Sequence, residues 1–138
     1  MRHLCNRALN ERVQSMAFGD LFLADIRAYR EKQLKDTGLQ PLFPVWQIPT
    51  VDLAQTMIAS ALRAKITCVD PRVLPKEFAG RDFDSQFLQD LPVTVDPCGE
   101  NGEFHSFVYA GPGFRHPINV SVGEIIERDG FVFADLFA

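Results

Sequence analysis

At 138 residues, with 46% hydrophobic and 23% charged side chains, the chain has the size and profile of an ordinary globular domain and not of a disordered or coiled-coil protein. No run approaches the ~20 apolar residues of a membrane span, and MRHLCNRALNER lacks the apolar core of a signal peptide, so a cytoplasmic location away from any membrane is expected. The net charge of -4 is unevenly spread: residues 1–80 carry 11 Lys/Arg against 8 Asp/Glu, and residues 81–138 carry 3 against 10, which argues against nucleic acid and bare polyphosphate and for Mg2+, an amine or a cationic substrate at the acidic end.

In chain order, residues 2–13 read as a helix, followed by a short apolar strand in VQSMAF (13–18) and a turn at Gly19-Asp20. Asp20 is placed to cap the next helix, in which Phe22, Leu23, Ile26, Tyr29 and Leu34 recur at helical spacing, and Gly38 stands where a left-handed stop is expected. LQPLFPVW (39–46) is too broken by proline for a central strand. Thr50 and Asp52 open another helix, TVDLAQTMIASALRA, and KITCVD (65–70) is β-branched and apolar, as a buried parallel strand would be. This alternation points to an α/β architecture. PRVLPKEFAGR (71–81) is a loop, and Asp84 caps a short helix through Leu91. Beyond residue 104 strands take over, in HSFVYA and INVSVGEIIERDGFVFADLF, with a hairpin at Arg128-Asp129-Gly130. The proline-rich stretch near residues 71–75 is the candidate boundary, giving regions 1–70 and 71–138.

The chemistry concentrates in DPCGENGEFHSF (96–107), which places Asp96, Cys98, Glu100, Glu103 and His105 around Gly99 and Gly102. Asp96, Cys98 and Glu100 at i, i+2, i+4 would line one side of an extended loop, with the glycines letting the backbone turn sharply and approach a ligand. A calcium loop is excluded by Asn101 at its sixth position and Phe107 at its twelfth. Cys98 and His105 have the residue types of a zinc site but no recognised spacing, so no metal ligands are assigned; together they also admit a thiolate with its base. The bland alternative makes Cys98 a half-buried packing residue, Glu100 and Glu103 caps of local N–H groups, and His105 the start of a strand. The three cysteines, Cys5, Cys68 and Cys98, form no C-x-x-C pair and are expected to be reduced. Gly19-Asp20, at the carboxyl end of a strand, lies where open α/β sheets bind ligands, although Asp20 is equally explained as a cap. Arg27 and Arg30 could reach a phosphate but read as solvated, while Phe43, Trp46 and Cys68 read as core.

AFGDLFLADIRAYRE (17–31), GLQPLFPVW (38–46), CVDP (68–71), GRDFDSQFLQDLP (80–92) and DPCGENGEFHSFVYAGP (96–112) resemble, in order, the C-terminal part of the diphthine-ammonia ligase family, ATP-pyrophosphatase-type proteins of the adenine nucleotide alpha hydrolase class. The resemblance implies a truncated Rossmann-like (HUP-type) parallel-sheet portion, a remnant of the nucleotide-binding domain, followed by a smaller α+β substrate-binding region ending in a β-hairpin. It also implies an amide-forming reaction in which ATP adenylates a carboxylate and ammonia displaces AMP. On that pattern Glu100, Glu103 and His105 are catalytic, with the two glutamates positioning Mg2+ or ammonia and His105 carrying protons. Asp96, Cys98, Gly99, Asn101 and Gly102 face the carboxylate substrate, and Gly19 and Asp20 lie near the nucleotide. The family's S-G-G-K-D-S phosphate loop occurs nowhere in this sequence, so a homo-oligomer or a chain supplying the missing half is the expected partner. The non-catalytic alternative is a substrate- or partner-binding module. Members acting on diphthine are similar to C-G-E-G-G-E-Y-E-T, whereas this block has Asn101, Phe104, His105 and Ser106, a spelling similar to a bacterial branch.

Overall fold

Short β-strands paired in two separate sheets organise the chain, whose computed structural model describes residues 2–138, with side chains from Leu4 onward. Backbone contacts gather it into two units, one running to Ile48 and the other spanning Pro49–Ala138.

The first unit contains α1 (Arg2–Asn10), β1 (Ser15–Ala17), α2 (Ala24–Leu34) and β2 (Gln40–Leu42). β1 and β2 pair in parallel across the α2 crossover, with Met16 opposite Pro41, so the proline that argued against a central strand sits in one paired on a single side. Cys5, Leu34 and Leu39 form a small buried cluster, against which Ala8, Met16 and Phe18 pack. Asp20 does not cap α2: the residue before the helix is Leu23, without a side-chain cap, and Asp25 supplies the acid of the first turn. The helix stops four residues before Gly38 because Asp36 already takes a left-handed conformation (φ 66°), and the Thr37 hydroxyl donates to the Leu34 carbonyl at 2.7 Å.

The second unit contains α3 (Thr50–Ala59), β3 (Arg63–Val69), a 3-10 turn (Lys76–Phe78), α4 (Ser85–Asp90), β4 (Phe104–Ala110), β5 (Ser121–Arg128) and β6 (Phe131–Phe137). Its four strands run in the order β4-β3-β6-β5, and β3 pairs antiparallel with both neighbours. The parallel pairing expected for KITCVD is therefore corrected. A continuous apolar run identifies a strand covered on both faces, but direction is set by how the chain returns, and here it returns through residues 70–103. The proline-rich stretch at 71–75 lies inside this unit, tied to the end of β3 by Val73 and Leu74 N–H groups donating to the Asp70 carbonyl. The hairpin turn is Asp129-Gly130, both at positive φ (52° and 80°), as a two-residue type I′ turn requires.

The core lies between one sheet face and the helices. Phe87 of α4 is fully buried and meets Phe78, Phe83 and Phe104 at ring-centroid distances of 5.6, 5.5 and 5.2 Å. Asp84 caps α4 as expected, its carboxylate accepting the Phe87 N–H at 2.8 Å, so the cap that starts the helix also positions its central aromatic ring. Phe104 opens β4 directly after the acidic loop, and that loop is thereby anchored to the core at one end.

Candidate functional site

The loop from Asp96 to Glu103 is curled, not extended. Asp96 accepts the N–H groups of Cys98 at 2.9 Å and Glu100 at 3.3 Å, and its carbonyl accepts the Gly99 N–H at 2.9 Å. Asp96, Cys98 and Glu100 therefore form a turn around one carboxylate and do not line an open side. Gly99 (φ 68°) and Gly102 (φ 84°) occupy left-handed conformations, as the expected sharp turning needs. A Cβ at Gly99 would in addition come within 2.8 Å of the Phe104 carbonyl oxygen, so glycine is required there twice over.

Glu103 is buried, and both its oxygens are engaged: Oε1 by the Asp96 N–H (3.0 Å) and Asn101 Nδ2 (3.1 Å), Oε2 by the Asn101 N–H (2.9 Å). Burial pushes its carboxyl upward, but these N–H donors outweigh burial and hold it below the usual range. Its backbone carbonyl accepts the Asp70 N–H at 2.9 Å, joining the loop to the end of β3. Asp70 was not singled out from the sequence. Its carboxylate receives the Arg72 guanidinium and the Arg72 N–H, the former at 2.8 and 3.1 Å, and these bonds hold it below the usual range. The signal for it was an acid ending an apolar strand with an arginine two residues on.

Cys98 directs its thiol to the Thr50 carbonyl at 3.4 Å, tying the loop to the start of α3. Burial, reinforced by the charges of Asp96 and Glu100, pushes the thiol up to about 11, the opposite of what an activated nucleophile needs. His105 is exposed on β4, and its backbone carbonyl accepts the Thr67 hydroxyl at 3.3 Å. Loop and strand thus bring together Asp96, Cys98, Gly99, Glu100, Asn101, Gly102 and Glu103 in one hydrogen-bonded turn, with His105 just beyond it. Among the described residues no three His, Cys, Asp or Glu side chains are grouped to hold a metal ion.

Gly19 and Asp20 belong to the first unit. Gly19 is exposed, and an added Cβ would meet open space. Asp20 forms an ion pair with Arg30 at 3.6 Å, and neither facing atom has a hydrogen-bond partner. At the carboxyl ends of β1 and β2, Phe18 stacks on Phe43 at 5.6 Å, and the Arg27 guanidinium lies over Phe43 at 4.5 Å and Trp46 at 4.7 Å. Arg30 lies over Phe18 at 5.2 Å. The arginines expected to be only solvated are therefore packed on aromatic faces.

The model of the diphthamide synthase C-terminal domain matches residues 49–134. The diphthine--ammonia ligase of Bos taurus is 33% identical over 130 residues, covering 90% of this chain and 48% of the bovine protein. The human diphthine--ammonia ligase is 32% identical with the same coverage, and that of Schizosaccharomyces pombe is 26% identical over 122 residues, 84% of this chain and 20% of the yeast protein. The chain spans about half the length of the mammalian relatives. With its acidic turn and most of its antiparallel second unit inside the matched region, the chain belongs to the diphthine–ammonia ligase family, of which it forms the C-terminal part.

Proposed function

We propose that the chain forms the carboxylate-substrate side of an ATP-dependent, amide-forming ligase and works together with a nucleotide-gripping half of that enzyme. The observation that carries this reading is the acidic turn: Asp96 and Glu103 spend their carboxylates on the loop's own backbone, and the rigid turn so made presents exposed Asn101, Gly102 and His105. In the family reaction ammonia attacks an adenylated carboxyl, a C–N bond forms, the bond to AMP breaks, and the entering nitrogen sheds a proton. Histidine is suited to take such a proton near neutral pH, and His105 is given that role. The Asn101 Nδ2 proton that is not given to Glu103 meets the substrate carboxyl group, and Gly102, whose own N–H is spent on the Gly99 carbonyl, leaves open space beside it, while Glu100 adds negative charge that favours ammonium nearby. Glu103 acts as the post of the loop, because its carboxylate holds the Asp96 N–H, the Asn101 N–H and Asn101 Nδ2.

The triphosphate of ATP does not fit this chain's residues: no glycine-rich loop at a helix N-terminus cradles phosphates among the described residues, and α2 begins at Leu23-Ala24. Adenosine alone would find an aromatic surface at Phe18, beside Gly19 and Asp20. Against the thiolate reading stand the Cys98 thiol's donation to the Thr50 carbonyl and its upward shift by burial.

The test is reconstitution. The chain would be combined with the N-terminal half of the bovine ligase, ATP, ammonium and a diphthine-bearing protein, and the amide product read by mass. Product should need both halves, and His105→Ala should lower its rate by about 10²-fold or more. A stable complex with substrate but no amide product would replace this reading by that of a binding module.

A further inference from the structure

The two outer strands of the second unit's sheet are finished differently. β4 is met on its outer side by the segment that follows it, where Ile118 donates its N–H to the Tyr109 carbonyl at 2.8 Å. β5 pairs with β6 alone, and among the described residues nothing bonds to its outer side. The hairpin fixes which of its backbone groups are free. Arg128 and Phe131 flank the two-residue turn and exchange both bonds, so in the antiparallel alternation Arg128 and Ile126 face β6. Ile125 and Glu127 therefore turn their N–H and C=O groups outward. The side chains of Ile126 and Arg128 stand on the face away from the core: Ile126 is opposite Phe133, which alternates with the buried Val132 and Ala134, and Arg128 lies over the Phe133 ring at 4.8 Å.

An open edge of this kind is a template for another strand, and its own sequence is complementary to itself in one register. Outward residues can be matched only with outward residues, which leaves three antiparallel arrangements of two copies. Placing Glu127 opposite its own copy joins like charges and runs the strand into the Asp129-Gly130 turn. Placing Ile125 opposite its own copy runs it into the bulge between Val122 and Ile125. The remaining arrangement centres on Ile126. Ile125 then exchanges both backbone bonds with Glu127 of the second copy, Ile126 meets the same residue across the two-fold axis, and Glu124 stands opposite Arg128 at each end. Both charges are available: Glu124 is exposed with no ion pair among the described residues, and Arg128 is held only loosely by Asp129, at 3.7 Å with both side chains mostly exposed. We infer that β5 is a self-association edge at which two copies of this chain join in that register, extending the four-stranded sheet through the axis. β5 lies wholly within the residues matched by the diphthamide synthase C-terminal domain, so the joining belongs to the second unit and asks nothing of the first.

Sedimentation equilibrium of the full chain over a range of concentrations tests the edge, with amide hydrogen exchange read alongside. Monomers should pass into dimers as concentration rises, and the Ile125 and Glu127 amides should become protected as they do. Glu124→Arg should weaken the dimer about tenfold, because both opposite-charge pairs become repulsive. Adding Arg128→Glu restores the pairs in reverse and should recover the dimer, a recovery that a poorly folded variant would not show. Ile125→Pro takes away an outward N–H without touching the bonds to β6 and should leave the chain monomeric. A monomer at every concentration overturns the edge. So does a dimer that leaves Ile125 and Glu127 unprotected, and so does one in which the double variant associates no more tightly than Glu124→Arg alone.

Discussion

Glu103 carries more of the loop than any other side chain, and its chemistry sets an expectation for acid. Its carboxyl is held below the usual range by N–H donors, so the stabilisation it brings is complete above the unfolded value of about 4.3 and fades as pH falls through the lower folded value. Glu103→Gln puts an NH2 group against the N–H of either Asp96 or Asn101 and should cost about 1–3 kcal/mol at pH 7. Chemical denaturation of both proteins between pH 7 and pH 3 checks this: the gap should shrink toward the acid end, and a constant gap would deny the carboxylate its part. Cys98 gives a second expectation at this scale. With its thiol pushed up to about 11, only about one part in a thousand is thiolate at pH 8, so alkylation of the native protein should run on the order of 10²-fold slower than that of an exposed thiol. Cys98→Ser should accordingly keep substrate binding and product formation in the reconstituted ligase. Rapid labelling at pH 8 would reinstate the nucleophile.

Single elements show how local signals and tertiary contacts divide the work. α4 is only six residues long, too short to persist alone, and it exists because Asp84 caps it and Phe87 packs among three other phenylalanine rings. Asp84→Ala should cost about 1 kcal/mol, read as a lower melting temperature. Because Phe87 also holds Phe104 at the foot of the acidic loop, exchange at the loop amides of Cys98 and Asn101 should quicken as well. A change confined to residues 84–90 would mean that helix and loop are uncoupled. β3 is the central element of the second unit, and its end joins the loop through the Asp70–Glu103 backbone bond, so sheet and site are built as one piece there.

Taken whole, the chain is acidic beyond residue 80 and offers no phosphate cradle among its described residues. Much of a nucleotide's affinity comes from backbone N–H groups gripping its phosphates at a helix N-terminus. Calorimetric titration of the chain alone with Mg-ATP should therefore give a dissociation constant no better than about 1 mM, near -4 kcal/mol. A micromolar value, or steady pyrophosphate release, would place a nucleotide site within these residues. No helix among the described residues is long and apolar enough to cross a membrane.

By itself the sequence determined whatever depends on neighbours a few residues apart: helices from apolar spacing, the Asp84 cap, the Asp129-Gly130 hairpin, the turning at Gly99 and Gly102, and the family from its long block at 96–112. Such signals act within about one helical turn or one pleat, so they survive without knowledge of the fold. Only the tertiary structure decided that β3 runs antiparallel to both neighbours, because direction depends on a return through more than thirty residues; Thr67 meets His105 across a separation of 38 positions. It likewise tied Glu103, expected to position Mg2+ or ammonia, to the backbone of its own loop, and laid Arg27 over Trp46 instead of in solvent. A carboxylate or a guanidinium looks the same in sequence whether it faces water, a substrate or its own backbone. Burial and the partners that come with it make the difference.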